Sequence, residues 1–575
     1  MVVAAAPSQK RLTMQVEDVA TDTTAIRSLD WDRDRFDIEF GLQNGTTYNS
    51  FLIQGEKVAL VDTSHEKFRQ LYLDTLKAQI NPQDIDYLII SHTEPDHSGL
   101  VRDVLELAPH ATVVGAKVAI QFLENLVHKP FEKQIVKNGD TLDLGNGHII
   151  EFVNAPNLHW PDTIFSYDQK TQVMFTCDAF GMHYCSDATY DENLKPIEPD
   201  FRFYYECLMA PNARSVISAM KRMKKLGDIQ TIATGHGPIL RYHVSELTGR
   251  YWDWSNEKAN AETCVAVFYI SDYGYSDRLS QAIAHGITKA GVAVEMMDLK
   301  SADPQEVHEL VSRCAGIVLG TPPASGDTAK ATLDALGTVF AAIHEKPAFG
   351  IFECYGGDDE PIDPIVTKFR DLKLKPGFSP IRITDTPSQG TYQLCEEAGT
   401  DMAQLLTRKD AIKKMKALDS DLDKALGRLS GGLYIITAQK GEITSGMLAS
   451  WVSQASFKPL GLTIAVAKDR AIESLMQVGD RFVLNVLEEG NYQHLMKHFL
   501  KRFPPGADRF AGVNTQTAKN GSPLLADSLA YLECTVASRM ECSDHWLVYS
   551  TVEHGRVSKP ESLTAVHHRK VGNHY

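Results

Sequence analysis

Between Ser91 and Gly99 the chain runs Ser-His-Thr-Glu-Pro-Asp-His-Ser-Gly, and His92, Glu94, Asp96 and His97 are residue types that hold metal ions. Alternate residues His92, Glu94 and Asp96 can project to one side, whereas the adjacent Asp96 and His97 must diverge. That divergence suits two metal ions better than one. Imidazole and carboxylate donors without thiolate favour iron or manganese over a purely structural zinc. Three more such residues follow apolar runs: His159 in Asn154-Ala-Pro-Asn-Leu-His-Trp-Pro161, Asp178 in Phe175-Thr-Cys-Asp-Ala-Phe-Gly181, and His236 in Ala233-Thr-Gly-His-Gly-Pro238. Singly, each has an ordinary explanation: a histidine in a turn is usually solvated or hydrogen-bonded, and an aspartate before a glycine turn is often a turn former. Together the seven make the candidate metal-ligating and catalytic set of a dinuclear site.

The elements that must position this set follow from the pattern around it. Asp84 to Ile90 has the polar flank and short apolar centre of a buried strand, which places His92 to His97 on the loop where that strand ends. Phe36 to Asp62 alternates β-rich runs with turn signals, as hairpins feeding one sheet do. Helical spacing follows over His65 to Gln79, Gly99 to Leu107 and Ala116 to Leu126, so an α/β layered domain is expected up to residue 262.

At 575 residues the chain exceeds one core, and 43% hydrophobic with 23% charged residues is an ordinary globular composition. The formal net charge of −16 argues against a nucleic-acid-binding surface. No apolar run is long enough to span a bilayer and Met1 to Pro7 lacks the character of a signal peptide, so a soluble, cytoplasmic protein is expected. Nine cysteines are scattered without a Cys-x-x-Cys pair, which disfavours rubredoxin or zinc-ribbon modules and leaves reduced core thiols as the expectation.

From residue 263 the character changes. Thr263 to Ile270 reads as a buried parallel strand and Asp277 to Ala290 as a helix, with Ser271-Asp-Tyr-Gly-Tyr-Ser276 between them. A hydroxyl- and glycine-containing turn at a helix amino terminus suits a phosphate, here through Ser271, Tyr273, Gly274, Tyr275 and Ser276. Two further strand-end loops follow, one with Thr321, Pro322, Pro323 and Ala324, the other with Tyr355, Gly356 and Gly357. Ligand loops at strand ends fit the doubly wound rule over residues 263–408, and the lack of Gly-x-Gly-x-x-Gly disfavours a Rossmann dinucleotide site there. Residues 409–424 are dense in charge and read as a solvated helix or linker. Residues 425–575 carry strand-like runs at Gly432 to Thr437, Leu460 to Ala467 and Arg481 to Leu487, with helical patterns at Arg470 to Val478 and Asn491 to Phe503.

On its motif His92-x-Glu94-x-Asp96-His97 with His159, Asp178 and His236, the first domain resembles the metallo-β-lactamase-like domain of flavodiiron proteins. Hydrolytic members of that superfamily commonly carry histidine where this chain has Glu94, and the harder oxygen donor suits iron. The resemblance implies that His92, Glu94 and His159 hold one iron, that Asp96, His97 and His236 hold the other, and that Asp178 bridges them. Residues 263–408 resemble a flavodoxin domain, which implies FMN with its phosphate at Ser271 to Ser276 and its ring near the other two loops. Tyr275 stands where many flavodoxins have asparagine, and Asp272 and Asp277 lie nearby. The run Thr444-Ser-Gly-Met-Leu-Ala-Ser-Trp-Val-Ser-Gln-Ala-Ser-Phe-Lys-Pro459, with Cys542-Ser-Asp-His-Trp546, resembles the split-barrel flavin reductase family, with Ser445, Ser450 and Ser456 as flavin contacts.

The expected fold class is therefore multidomain α/β: a metallo-β-lactamase-like αββα sandwich, a flavodoxin-like doubly wound parallel sheet and a split β-barrel. This order resembles the fused flavodiiron proteins of cyanobacteria and other oxygenic phototrophs, and among them a member that retains every iron ligand. It implies reduction of dioxygen to water by NADPH or NADH through FMN, a second flavin (FMN or FAD) and two irons, as a photoprotective electron sink. It further implies a head-to-tail homodimer or a hetero-oligomer with a paralogous flavodiiron protein, and ferredoxin as an alternative donor. Three competing expectations stay open: nitric oxide reduction at the same ligands, zinc-dependent hydrolysis, and an electron-transfer subunit of a larger complex.

Overall fold

The computed structural model describes residues 11–36, 40–270, 275–300, 302–321, 336–343, 347–354, 362–417 and 421–569. The chain divides into two compact units. One reaches Glu262 and includes Ala293–Met297; the other holds Thr263–Val292 and the chain from Asp298 on.

In the first unit a seven-stranded sheet runs in the order Leu12–Ala20, Thr23–Asp30, Thr46–Gln54, Val58–Val61, Ile85–Ile90, Thr112–Gly115, Lys133–Ile135. A five-stranded sheet runs Thr141–Gly145, His148–Asn154, Ile164–Asp168, Val173–Cys177, Thr231–Thr234. Phe51, Val61, Ile89 and Val114 of the first sheet share one buried cluster with Ile150, Phe152, Val173 and Phe175 of the second, so the core lies between the sheets. Helices cover both outer faces. On Lys117–Val127 the buried residues Ala119, Ile120, Leu123 and Val127 recur at helical spacing and pin the helix by one stripe. His128, in the left-handed conformation at φ 54°, ends it. The sheets between helix layers make the expected αββα sandwich.

In the middle of the chain a parallel sheet follows the order Ala293–Asp298, Cys264–Tyr269, Gly316–Thr321, Ala348–Cys354, Lys375–Pro376, with Ile381–Ile383 also pairing with Ala348–Cys354. This 2-1-3-4-5 order is the flavodoxin-like one, and its ligand crevice falls outside the carboxyl ends of Cys264–Tyr269 and Gly316–Thr321, where the order reverses. A second, antiparallel seven-stranded sheet runs from Ile443–Ala449 through Tyr434–Lys440, Arg481–Val486, Ala530–Cys542, His545–Val557 and Leu460–Ala467 to Val452–Phe457. Met447 and Ala449 at one end of that order share a core with Leu462 and Ile464 near the other, so the sheet curls round a single interior.

Three expectations change. The helix expected over Arg470 to Val478 shrinks to one turn, Glu473–Leu475, because Ile472, Leu475 and Met476 all sink into the core and Gly479 turns the chain at φ 86°. The helix expected over Asn491 to Phe503 is confined to Gln493–Phe499. Cys264 and Cys314, 50 residues apart, are joined by a disulfide, although the scattered cysteines gave no pairing signal. The charge-dense stretch is helical on both sides, over Gln389–Ala417 and Asp421–Leu426.

Candidate metal centre

All seven candidate ligands emerge at one end of the sandwich, from loops that follow strands. Ile85–Ile90 ends at Ser91, whose N–H donates to Asp62 Oδ1 at 2.8 Å. Glu94 immediately precedes the short helix Pro95–Ser98, and the fixed φ of Pro95 starts that turn, which swings Asp96 and His97 away from His92 and Glu94. Thr63 N–H holds the His97 carbonyl at 2.8 Å. His159 lies between His148–Asn154 and Ile164–Asp168, Asp178 directly follows Val173–Cys177, and His236 follows Thr231–Thr234. Gly235 is required beside it, because a Cβ there would come within 2.7 Å of His97 Cε1.

The donors gather in two sets. His92 Nε2 lies 3.3 Å and His159 Nε2 3.0 Å from Glu94 Oε2, and both imidazole nitrogens lie 3.5 Å from Asp178 Oδ2. On the other side His97 Nε2 is 3.0 Å and His236 Nε2 3.2 Å from Asp178 Oδ1, with Asp96 3.5 Å from His97 and 3.3 Å from His236. Asp178 therefore offers one oxygen to each set. Metal–ligand bonds of roughly 2.0–2.2 Å place adjacent donors roughly 3.0–3.6 Å apart, and these distances fall in that range. Asp178 Oδ2 and Asp96 Oδ1 are buried and accept no hydrogen bond, as expected of lone pairs meant for a cation.

The electrostatics agree. Burial and the adjacent Asp96 carboxylate push Glu94 up, yet the imidazoles of His159 and His92 hold it at about 2. Burial opposes a charge on His236, but Asp178 and Asp96 outweigh it and push the imidazole up to about 10. His92 is raised in the same way against its burial, by Asp162 first. Without metal, the carboxylates keep protons on the histidines; a bound metal would displace them.

Residues outside the seven orient the donors. Buried Asp162 receives His92 Nδ1–H at 3.0 Å and Thr93 N–H at 2.8 Å, which leaves His92 Nε2 free to ligate. The Thr47 carbonyl does the same for His236 Nδ1 at 2.6 Å. Tyr204 O–H donates to Asp178 Oδ1 at 2.9 Å, from the last turn before the helix widens into a π turn at Tyr205–Met209. Sequence reasoning missed Asp162 and Tyr204: an aspartate in a loop and a tyrosine on an amphipathic helix carry no signal of their own. Outside the seven, His183 is buried with its ring centroid 4.6 Å from that of His236 and its Nδ1 2.7 Å from Thr46 Oγ1. His65 caps a turn at Lys67, and His243 pairs with Asp191.

Of the expected flavin contacts in the middle domain, Ser271, Tyr273, Gly274, Pro322, Pro323, Ala324, Tyr355, Gly356 and Gly357 lie outside the described residues. Tyr275 begins helix Tyr275–Lys289 and is exposed, Ser276 is buried in its first turn, and Thr321 is fully buried at the end of its strand. In the last domain the Ser445 and Ser450 hydroxyls are buried without a hydrogen-bond partner, whereas Ser456 donates to the Pro459 carbonyl at 2.7 Å and lies 2.9 Å from Tyr549 Oη.

A lactamase-like sandwich with a two-set carboxylate–imidazole pocket, a flavodoxin-order sheet and an antiparallel barrel in one chain define a class. Residues 46–237 match the ODP family beta lactamase and residues 426–573 the flavin reductase like domain. Diflavin flavoprotein A 1 of Synechocystis sp. PCC 6803 is 69% identical over 569 residues, covering 99% of each chain. The metal-soaked Flv1 flavodiiron core from the same organism is 37% identical, with a TM-score of 0.64 over 69% of this chain and 99% of that one. The chain belongs to the flavodiiron family, in its three-domain diflavin flavoprotein A branch. Members of this family are oxidoreductases built on a diiron site and flavins. Among the described residues, no helix is long and apolar enough to cross a membrane.

Proposed function

We propose that this chain reduces dioxygen to water with electrons from NADPH or NADH. The observation that carries the reading is the pair of donor sets flanking one carboxylate, with Glu94 placed where an oxygen donor meets His92 and His159. In this reading His92, Glu94 and His159 hold one iron, Asp96, His97 and His236 the other, and Asp178 both. Bound iron supplies a redox-active pair at which a diatomic gas is reduced. The protein's own part is orientation: Asp162 and the Thr47 carbonyl fix the imidazole tautomers, Tyr204 holds Asp178, and Trp160, edge-on to His92 at 5.0 Å between centroids, packs beside that ring.

The Ser271–Ser276, Thr321–Ala324 and Tyr355–Gly357 loops are proposed to take FMN, and Ser445, Ser450 and Ser456 to face the second flavin. Residues 1–262, 263–408 and 425–575 are taken as the three domains, with 409–424 as the joint between the last two. The reading includes a cytoplasmic protein that works as a head-to-tail homodimer or with a paralogous flavodiiron chain, with ferredoxin as an alternative donor. The test is gas uptake by the iron- and flavin-loaded chain under separate oxygen and nitric oxide electrodes, with NADPH, NADH or reduced ferredoxin as donor. Oxygen uptake without hydrogen peroxide is expected. Faster consumption of nitric oxide than of oxygen, or peroxide in stoichiometric yield, would overturn it.

A further inference from the structure

Helix Gln389–Ala417 has two working faces. On one, Tyr392, Cys395, Ala398, Met402 and Ala403 are buried in the middle domain. Gly286 and Gly399 bring this helix and Tyr275–Lys289 into backbone contact, since a Cβ on either would collide with a carbonyl of the other helix. Gln393, Glu397, Asp401 and Gln404, spaced four, four and three apart, share the other face.

Every one of those four polar residues meets the C-terminal barrel. Gln393 Oε1 accepts from Ser474 Oγ at 2.7 Å, and Glu397 pairs with Arg509 at 2.9 Å and accepts from Gly506 N–H at 3.0 Å. Asp401 pairs with Arg502 at 2.9 Å, and Gln404 Nε2 donates to Asp469 Oδ2 at 2.9 Å. Beneath this strip lies a buried quartet, with Lys289 and Glu396 from the middle domain and Glu473 and Arg539 from the barrel. Lys289 reaches across to Glu473 at 3.7 Å. A buried, balanced ion cluster adds little net stability, but it penalises every orientation that leaves one of its charges unpaired.

We infer that helix Gln389–Ala417 is a docking ledge whose partner is the chain's own C-terminal barrel, held in one fixed orientation so that electrons cross between the two flavin-type domains within a single chain. The docking stands on the contacts above; the electron path rests on the function proposed in the preceding section. Each NAD(P)H oxidised to NAD(P)+ gives up a hydride, that is two electrons and a proton. Both electrons pass from the barrel to the middle domain, and the proton is released to solvent.

The experiment uses the full-length, flavin-loaded chain carrying Glu397→Arg, Arg509→Glu, or both. In each single variant the amides of residues 393–404 should exchange hydrogen about 100-fold faster, and the double swap should restore most of the protection. Stopped-flow reduction of the middle-domain flavin by NADPH should be first-order and unchanged by about tenfold dilution of the native chain, slowed in the single variants and recovered in the swap. If the single variants fail to fold, Asp401→Asn with Gln404→Ala at the less buried end should give about tenfold faster exchange at the same amides. Unchanged exchange in these variants, or a native rate that scales with protein concentration, would overturn the inference. A protected helix in a chain whose flavins NAD(P)H does not reduce would count against the proposed electron donor and leave the docking intact.

Discussion

Two buried charge clusters in this chain are built on opposite principles. In the quartet Lys289, Glu396, Glu473 and Arg539, two permanent cations answer two carboxylates, and the cluster is complete without any added group. In the pocket around Asp178, three carboxylates face four imidazoles, which are cationic only while they hold extra protons. The first arrangement fixes the packing of the elements that supply it. The second is suited to exchange protons for metal, because an imidazole that loses its proton can become a ligand whereas lysine and arginine keep theirs. Buried charge alone therefore does not mark a functional site; the kind of cation present does.

Breaking the quartet should give the largest change in stability. Arg539→Met leaves Glu473 buried beside Glu396 without its guanidinium, and a loss of about 3–5 kcal/mol in denaturant unfolding of the C-terminal unit is expected. Replacing Glu473 and Arg539 together by apolar residues should recover most of that loss; failure to recover would mean that the pair stabilises rather than orients. Acid offers a second route. Although burial pushes Glu396 up, Lys289 and then His285 hold it at about 2, below its ordinary 4.5. A carboxyl depressed in the folded state contributes stability that is fully present above its unfolded value. On the order of 3 kcal/mol should then be lost as pH falls from 4.5 towards 2. Unfolding monitored across that interval should show the loss in the native chain, and Glu396→Gln should flatten it.

The metal pocket should respond differently. Asp162→Asn removes the acceptor that fixes His92 without touching a donor, so metal affinity should drop roughly 10–100-fold in a competition titration while the fold persists. An unchanged affinity would show that His92 needs no outer partner.

How far the sequence disclosed these clusters follows from their chemistry. That His92, Glu94, Asp96, His97, His159, Asp178 and His236 come together was legible because ligand types crowd one loop or stand alone just after apolar runs, where a strand end must place them. Asp162 and Tyr204 act through hydrogen bonds to those ligands across 70 and 26 positions of chain, a relation no local pattern records. The quartet was equally hidden, since Lys289, Glu396, Glu473 and Arg539 read as ordinary surface charges until folding brings them together. The parallel sheet was visible in its apolar strands. The short turn at Glu473–Leu475 was not, because apolar residues at helical spacing also suit a compact turn packed on a barrel.

In the proposed function Asp178 serves two metal ions. Iron and flavin analysis of the native chain and of Asp178→Ala tests this most directly, with oxygen uptake measured on the same samples. The expected result is two irons per native chain, with iron binding and oxygen uptake lost in the variant while flavin content and flavin reduction persist. A native chain that carries zinc and no iron, or a variant that keeps both irons and its oxygen uptake, would contradict it.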